Sequence, residues 1–189
     1  MPAGELSLRS RRLSVTQSLH FAAWLFSNMS QHRTLFSVCS VQAESVYPLR
    51  TAVLLEGRSD TCRFRGDDDA STLHVAVYQD ERIVAVATVC RESLSGSVSD
   101  AEWRLRGIAV EEGLRGYGLG RLMVKLCLDH VEKEGGRLAW CTARESALKF
   151  YELLGFVSFT PPFTLPSRGD VRFYEMHYVL PGGHGLDVD

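Results

Sequence analysis

The sequence predicts an α/β (α+β) domain in which a mixed sheet carries helices on both faces. Three observations predict it. Short β-branched runs alternate with turn-like polar clusters, two stretches carry apolar residues at helical spacing, and the segments follow the order strand-helix, three strands, then helix-strand-helix-strand-strand. At 189 residues and 45% hydrophobic content, one domain with a full core is expected and two would be cramped.

The first 43 residues hold Arg9, Arg11, Arg12 and Arg33, several serines and a single acid, Glu5. That composition suits an organelle transit peptide or a disordered basic arm. Residues 1–32 are therefore expected to lie outside the core, 33–181 to form the domain and 182–189 to be a tail. Cytoplasmic residence is expected, with mitochondria the alternative if the basic segment is an address.

"TLFSVCSVQ" reads as the first strand, and "ESVYPLRTAVLLEG" places Val46, Leu49, Val53 and Leu54 at helical spacing before Gly57. The polar loop "RGDDDAS" follows. "TLHVAVYQDERIVAVATVCR" holds two β-branched runs joined by "QDER", a hairpin signal, and "EWRLRGIAV" is a third strand beyond another loop. A long helix from Gly118 to about Glu134 is expected to bury a stripe of Leu119, Leu122, Met123, Leu126 and His130 before Gly135 and Gly136 stop it. "RLAWCT" reads as a buried strand and "ESALKFYELLG" as a short helix. "FVSFTPPF" and "VRFYEMHYVL" read as two closing strands.

Bulk properties exclude several classes. Twenty-one basic and twenty-three acidic side chains give a net charge of −2, so neither nucleic acid nor an anionic membrane is an expected partner. No apolar run approaches the roughly 20 residues of a membrane-spanning helix. The five cysteines are odd in number and none form Cys-x-x-Cys, so neither a disulfide framework nor a zinc site is signalled.

Glycine falls at alternate positions, Gly116, Gly118 and Gly120, where the long helix begins. Each costs a helix about 0.5–1 kcal/mol relative to alanine. Bare backbone at a helix N-terminus lets unpaired N–H groups approach a phosphate, whereas the alternative is a turn that needs positive φ. A Walker loop would require Gly-Lys-Ser/Thr, but Arg121 and Leu122 follow Gly120; neither glycine pair completes a dinucleotide fingerprint either.

What remains is R-x-x-G-x-G, Arg115 to Gly120, directly after the strand "RGIAV" and opening an amphipathic helix. This resembles the acetyl-CoA pyrophosphate loop of the GNAT superfamily of N-acetyltransferases. "ARESALKFYELLGF", Ala143 to Phe156, is similar to the family's downstream helix, in which a tyrosine precedes a Gly-Phe pair. The resemblance spans about Thr34 to Leu180. It implies a largely antiparallel twisted sheet, acetyl-CoA as co-substrate without a metal, and an amine acceptor that is a small molecule or a protein; it also admits a homodimer. It implies pyrophosphate contacts at Arg115, Gly116, Tyr117, Gly118, Leu119, Gly120 and Arg121, contacts to the thioester carbonyl from the backbone of Ile108, Ala109 and Val110, and a further cofactor contact at Ser146. One departure stands out: many members carry asparagine where this chain has Arg144, seven residues before the tyrosine.

The implied reaction moves an acetyl group from acetyl-CoA to a primary amine by direct attack in a ternary complex; the alternative is a non-catalytic acyl-CoA-binding sensor or scaffold. A lysine-like amine with a pKa near 10.4 must lose a proton, so a general base or a water chain is expected. Glu102 is the first candidate, followed by His74 and Glu56. The leaving thiolate benefits from an acid, and Tyr151 matches the family's frequent general acid, although it also lies on the apolar stripe Ala147, Phe150, Tyr151 and Leu154. Cys141 has no histidine or acid beside it in sequence and reads as a small buried residue rather than an acyl carrier.

Overall fold

The structure, a computed structural model, describes residues 35–55, 62–95 and 100–181. The basic leading segment, Glu56, Gly57 and the tail from residue 182 lie outside the described residues. Seven strands form one sheet in the order β1-β2-β3-β4-β5-β7-β6. They are β1 (Phe36–Ser40), β2 (Leu73–Gln79), β3 (Arg82–Arg91), β4 (Glu102–Val110), β5 (Leu138–Arg144), β6 (Phe163–Thr164) and β7 (Arg172–Val179). Every neighbouring pair is antiparallel except β4 with β5. Helix α1 (Ala43–Leu54) packs on one face, helix α2 (Leu119–Lys133) on the other, and the short α3 (Leu148–Glu152) follows β5.

Layering explains the sequence pattern. Strand β3 lies under both helices and is buried without a break from Val84 to Cys90, so its run reads as continuously apolar. The hairpin turn falls at Asp80 and Glu81, with Asp80 at φ 55, a conformation that aspartate tolerates.

Two expectations are corrected. In α2 the buried residues are Met123, Val124, Cys127 and Val131, while Leu122 is exposed and Leu119 and Leu126 only flank the core. The face that packs on the sheet is centred on Met123, Val124, Cys127 and Val131, which meet a surface rich in valine and alanine. The closing strand "FVSFTPPF" is not continuous: Val157 bridges His177, and pairing resumes only at Phe163 and Thr164. Pro161 and Pro162 cannot donate to a ladder and interrupt it.

Candidate active site

Strands β4 and β5 are in register only over Glu102↔Leu138, Trp103↔Ala139 and Arg104↔Trp140, and then diverge into a fork. Beyond Arg104, the edge of β4 that faces β5 has no strand partner, which leaves backbone N–H groups there to meet a ligand. Within this stretch Arg106 pairs with Thr88 and Ala109 with Val86, so Gly107 and Ile108 together oppose Ala87. With Gly107 at φ 65 this is a glycine-type β-bulge. The additional residue inverts the side-chain alternation. Trp103 and Leu105 before the bulge share the α2 face with Ile108 and Val110 after it, while Ala109 joins the α1 core.

A 3-10 turn at Glu112–Leu114 leads from β4 into the glycine loop. Gly116 and Gly118 have φ of 85 and 83, and a Cβ on either would meet nothing within 4 Å. Both positions therefore need glycine for their backbone conformation and face open space. Gly118 is the N-cap of α2, and the first intrahelical bond runs from Leu122 N–H to the Gly118 carbonyl at 3.0 Å. The N–H groups of Leu119, Gly120 and Arg121 consequently point out of the helix start. Gly120 has a different cause: a Cβ there would stand 3.3 Å from the Phe150 ring. Tyr117 is exposed, and Arg115 turns back to donate from Nε to the Val110 carbonyl at 3.3 Å.

A cavity of about 440 Å³ fills the fork, bounded by the end of α1, by both diverging strands and by the segment before β7. Tyr151 reaches it from α3, buried between edge-on contacts to Phe150 and Phe156 with ring centroids 5.0 and 5.5 Å away. It neighbours Cys141, the first β5 residue past the last pair registered with β4. Burial first, and then Cys141, push Tyr151 well above the usual tyrosine value, and burial pushes the Cys141 thiol up to about 12. Tyr151 thus holds its proton at neutral pH, and Cys141 is not a thiolate. Ser146 is exposed on the 3-10 turn Glu145–Ala147, and its neighbour Ala147 lines the cavity.

Residues 36–156 match the family model described as Acetyltransferase (GNAT) family. The chain belongs to the GNAT acetyltransferases. It is 26% identical over 137 residues to a Bacillus subtilis (strain 168) protein described as the uncharacterized N-acetyltransferase YitI, covering 72% of this chain and 92% of that protein. Among solved structures, Escherichia coli ElaA superposes with a TM-score of 0.62 at 16% identity, covering 76% of this chain and 99% of that one. An aminoglycoside 6'-N-acetyltransferase complexed with coenzyme A superposes with a TM-score of 0.61 at 13% identity, covering 77% and 98% respectively. The family's donor is acetyl-CoA, and three observations on this GNAT chain fit such a ligand: the open glycine loop, the uncapped N–H groups at the start of α2 and the unpaired edge of β4.

The base candidates fare differently in this GNAT domain. Glu102 stands at the closed end of the fork and does not line the cavity. Its Oε2 accepts from the Ser93 hydroxyl and the Leu94 N–H, both at 2.7 Å, so the carboxylate anchors the loop after β3. His74 is buried on the α1 side, where Nε2 donates to the Asp67 carbonyl at 2.8 Å and Nδ1 pairs with the Thr88 hydroxyl at 2.7 Å. Both ring nitrogens are used, and His74 is a core residue. Glu56 lies outside the described residues.

Sequence reasoning missed the character of the cavity. Arg104, Arg106, Arg115, Arg144 and Arg168 line it, and among the described lining residues there is no carboxylate, imidazole or ammonium. The Arg104 and Arg106 pair was legible as polar alternation in "EWRLRG"; Arg168, in a loop, carried no signal. Arg144 donates from Nη2 to the Leu54 carbonyl at the end of α1, 2.8 Å away. Cys62 also lines the cavity, and burial raises its thiol.

Proposed function

We propose that the protein transfers an acetyl group from acetyl-CoA to a primary amine by direct attack in a ternary complex within the fork. Tyr151 carries this reading: it is buried in the wall of the cavity, just where the strands part. Acetyl-CoA supplies the activated thioester. The loop from Arg115 to Arg121 receives the diphosphate, and the unpaired edge of β4 past the bulge offers N–H groups to the carbonyl oxygen on which negative charge develops.

The arginine lining suits this chemistry without a side-chain base. Positive charge disfavours an ammonium, so it lowers the pKa of a bound amine and promotes the neutral nucleophile. The same field stabilises the departing thiolate. As the N–C bond forms and the C–S bond breaks, Tyr151 gives its hydroxyl proton to sulfur and is reprotonated from solvent, while the proton on nitrogen leaves to water. A lining without carboxylate or imidazole is equally what a non-catalytic acyl-CoA sensor of this fold would show, and turnover separates the two.

The test pairs calorimetry with thiol detection. Acetyl-CoA and desulfo-CoA should both bind, and a panel of amines should include at least one that releases free CoA thiol in proportion to N-acetyl product. Binding without turnover on any amine would favour the sensor. Absence of binding would remove the fork as a CoA site.

A further inference from the structure

From the charge balance inside the fork we infer that the acceptor is a small aminocarboxylate, its carboxylate held by Arg168 together with Arg144. The inference rests on the transferase reading above. Two of the five cavity arginines already have carboxylate partners: Nη1 of Arg104 lies 2.6 Å from Glu92 Oε1, and Nη1 of Arg106 lies 3.1 Å from Glu92 Oε2. Among the described residues the other three have no carboxylate partner. Arg115 and Arg144 each donate to a neutral backbone carbonyl, and no carboxylate among the described residues pairs with Arg168. Arg115 belongs to the glycine loop and the diphosphate. Arg144 and Arg168 are left lining the cavity, half-buried and with no carboxylate partner among the described residues.

Half-buried cations without counter-charge are costly unless a ligand supplies the anion, and guanidinium matches carboxylate with paired hydrogen bonds. Both arginines stand away from the vertex. Arg144 is three residues beyond Cys141 on β5, about 10 Å along an extended strand, while Arg168 lies in the 3-10 turn Pro166–Arg168, near Cys62. The acceptor's anionic end is thereby held apart from Tyr151, where its amine must arrive. Val53, Leu54, Leu165 and Phe173 form apolar wall around it and suit a methylene spacer. Size argues for a small molecule over a folded protein surface, because the cavity of about 440 Å³ must also admit the thioester end of the donor.

The test compares glycine, β-alanine, 4-aminobutanoate and 6-aminohexanoate with their amides and with 1,4-diaminobutane, using thiol release by the full chain. The best aminocarboxylate should exceed its amide at least tenfold in kcat/KM. Arg168→Gln should bring that ratio near one through KM while leaving the Kd of acetyl-CoA unchanged, and Arg168→Lys should restore part of it. Equal or better turnover of amides or the diamine overturns the inference and leaves the transferase reading intact, as does an Arg168→Gln loss that falls on acid and amide alike. If no amine in the panel turns over, calorimetry of the N-acetylated aminocarboxylates in the presence of CoA decides. Binding that is absent for the amides and lost in Arg168→Gln upholds the anion site although the transferase reading fails; no binding overturns the inference.

Discussion

The guanidinium of Arg50 lies against the bare Cα of Gly107, and a β-carbon on that glycine would fall 2.9 Å from its central carbon. Arg50 is fully buried, bonded through Nη1 to Asp67 Oδ2 at 2.9 Å and through Nη2 to the Thr88 hydroxyl. Helix α1 is thereby tied across β3 to the bulge that opens the fork. Gly107→Ala should lower stability by at least about 2 kcal/mol, because a residue at φ 65 is strained and Arg50 must move. Arg50→Met should cost more, about 3–5 kcal/mol, since it leaves the buried Asp67 carboxylate with Arg106 Nη2, 3.9 Å away, in place of its close ion pair. Urea unfolding measures both, and unchanged midpoints would show that the bulge does not depend on this contact.

Tyr151→Phe keeps the ring packing and removes the hydroxyl. Stability should change by no more than about 1 kcal/mol. The Kd of acetyl-CoA should hold while kcat falls by about 10²-fold or more, with a smaller loss for donors whose thiol is more acidic. Because burial raises Tyr151 above its usual value, the wild-type rate should climb with pH as the amine deprotonates and should show no tyrosine-dependent decline near pH 10, where an exposed tyrosine would ionise.

The glycines of the loop should separate in calorimetry. Gly118→Asn accepts the left-handed backbone but places a side chain in open space before the helix start, so affinity for acetyl-CoA should fall at least tenfold in a protein that melts like the wild type. Gly120→Ala instead presses on Phe150, so the melting temperature should drop. The reverse pattern would remove Gly118 from the anion site.

Alkaline stability reports the buried thiols. Burial raises both Cys127 and Cys141 from 9.0 in the unfolded chain to about 12 in the folded protein. Their contribution is therefore complete below pH 9 and is lost as pH rises toward 12, at up to about 1.4 kcal/mol per pH unit for each group. Unfolding free energies measured from pH 8 to 11 should fall with that onset, and less steeply in Cys127→Ala. An equal slope in that variant would assign the loss to other groups.

Local chemistry determined what could be read along the chain. Element order followed from the periodicity of apolar residues. The glycine loop followed from the cost of Gly116 and Gly118 at a helix start, and Tyr151 from its place before Gly155 and Phe156. These signals depend on neighbours within a few positions. Tertiary structure decided everything that depends on distant ones. Glu102 and His74 were plausible bases until packing gave the first to Ser93 and Leu94 and the second to Asp67 and Thr88. Gly120 owes its bare Cα to Phe150, thirty residues on. The bulge at Gly107 inverts an alternation that the sequence presents as unbroken, because a two-for-one pairing exists only once β3 lies beside β4. The cationic fork forms for the same reason: Arg144 reaches Leu54 across ninety positions and Arg168 joins from the turn before β7, and no local pattern records which charges folding brings together.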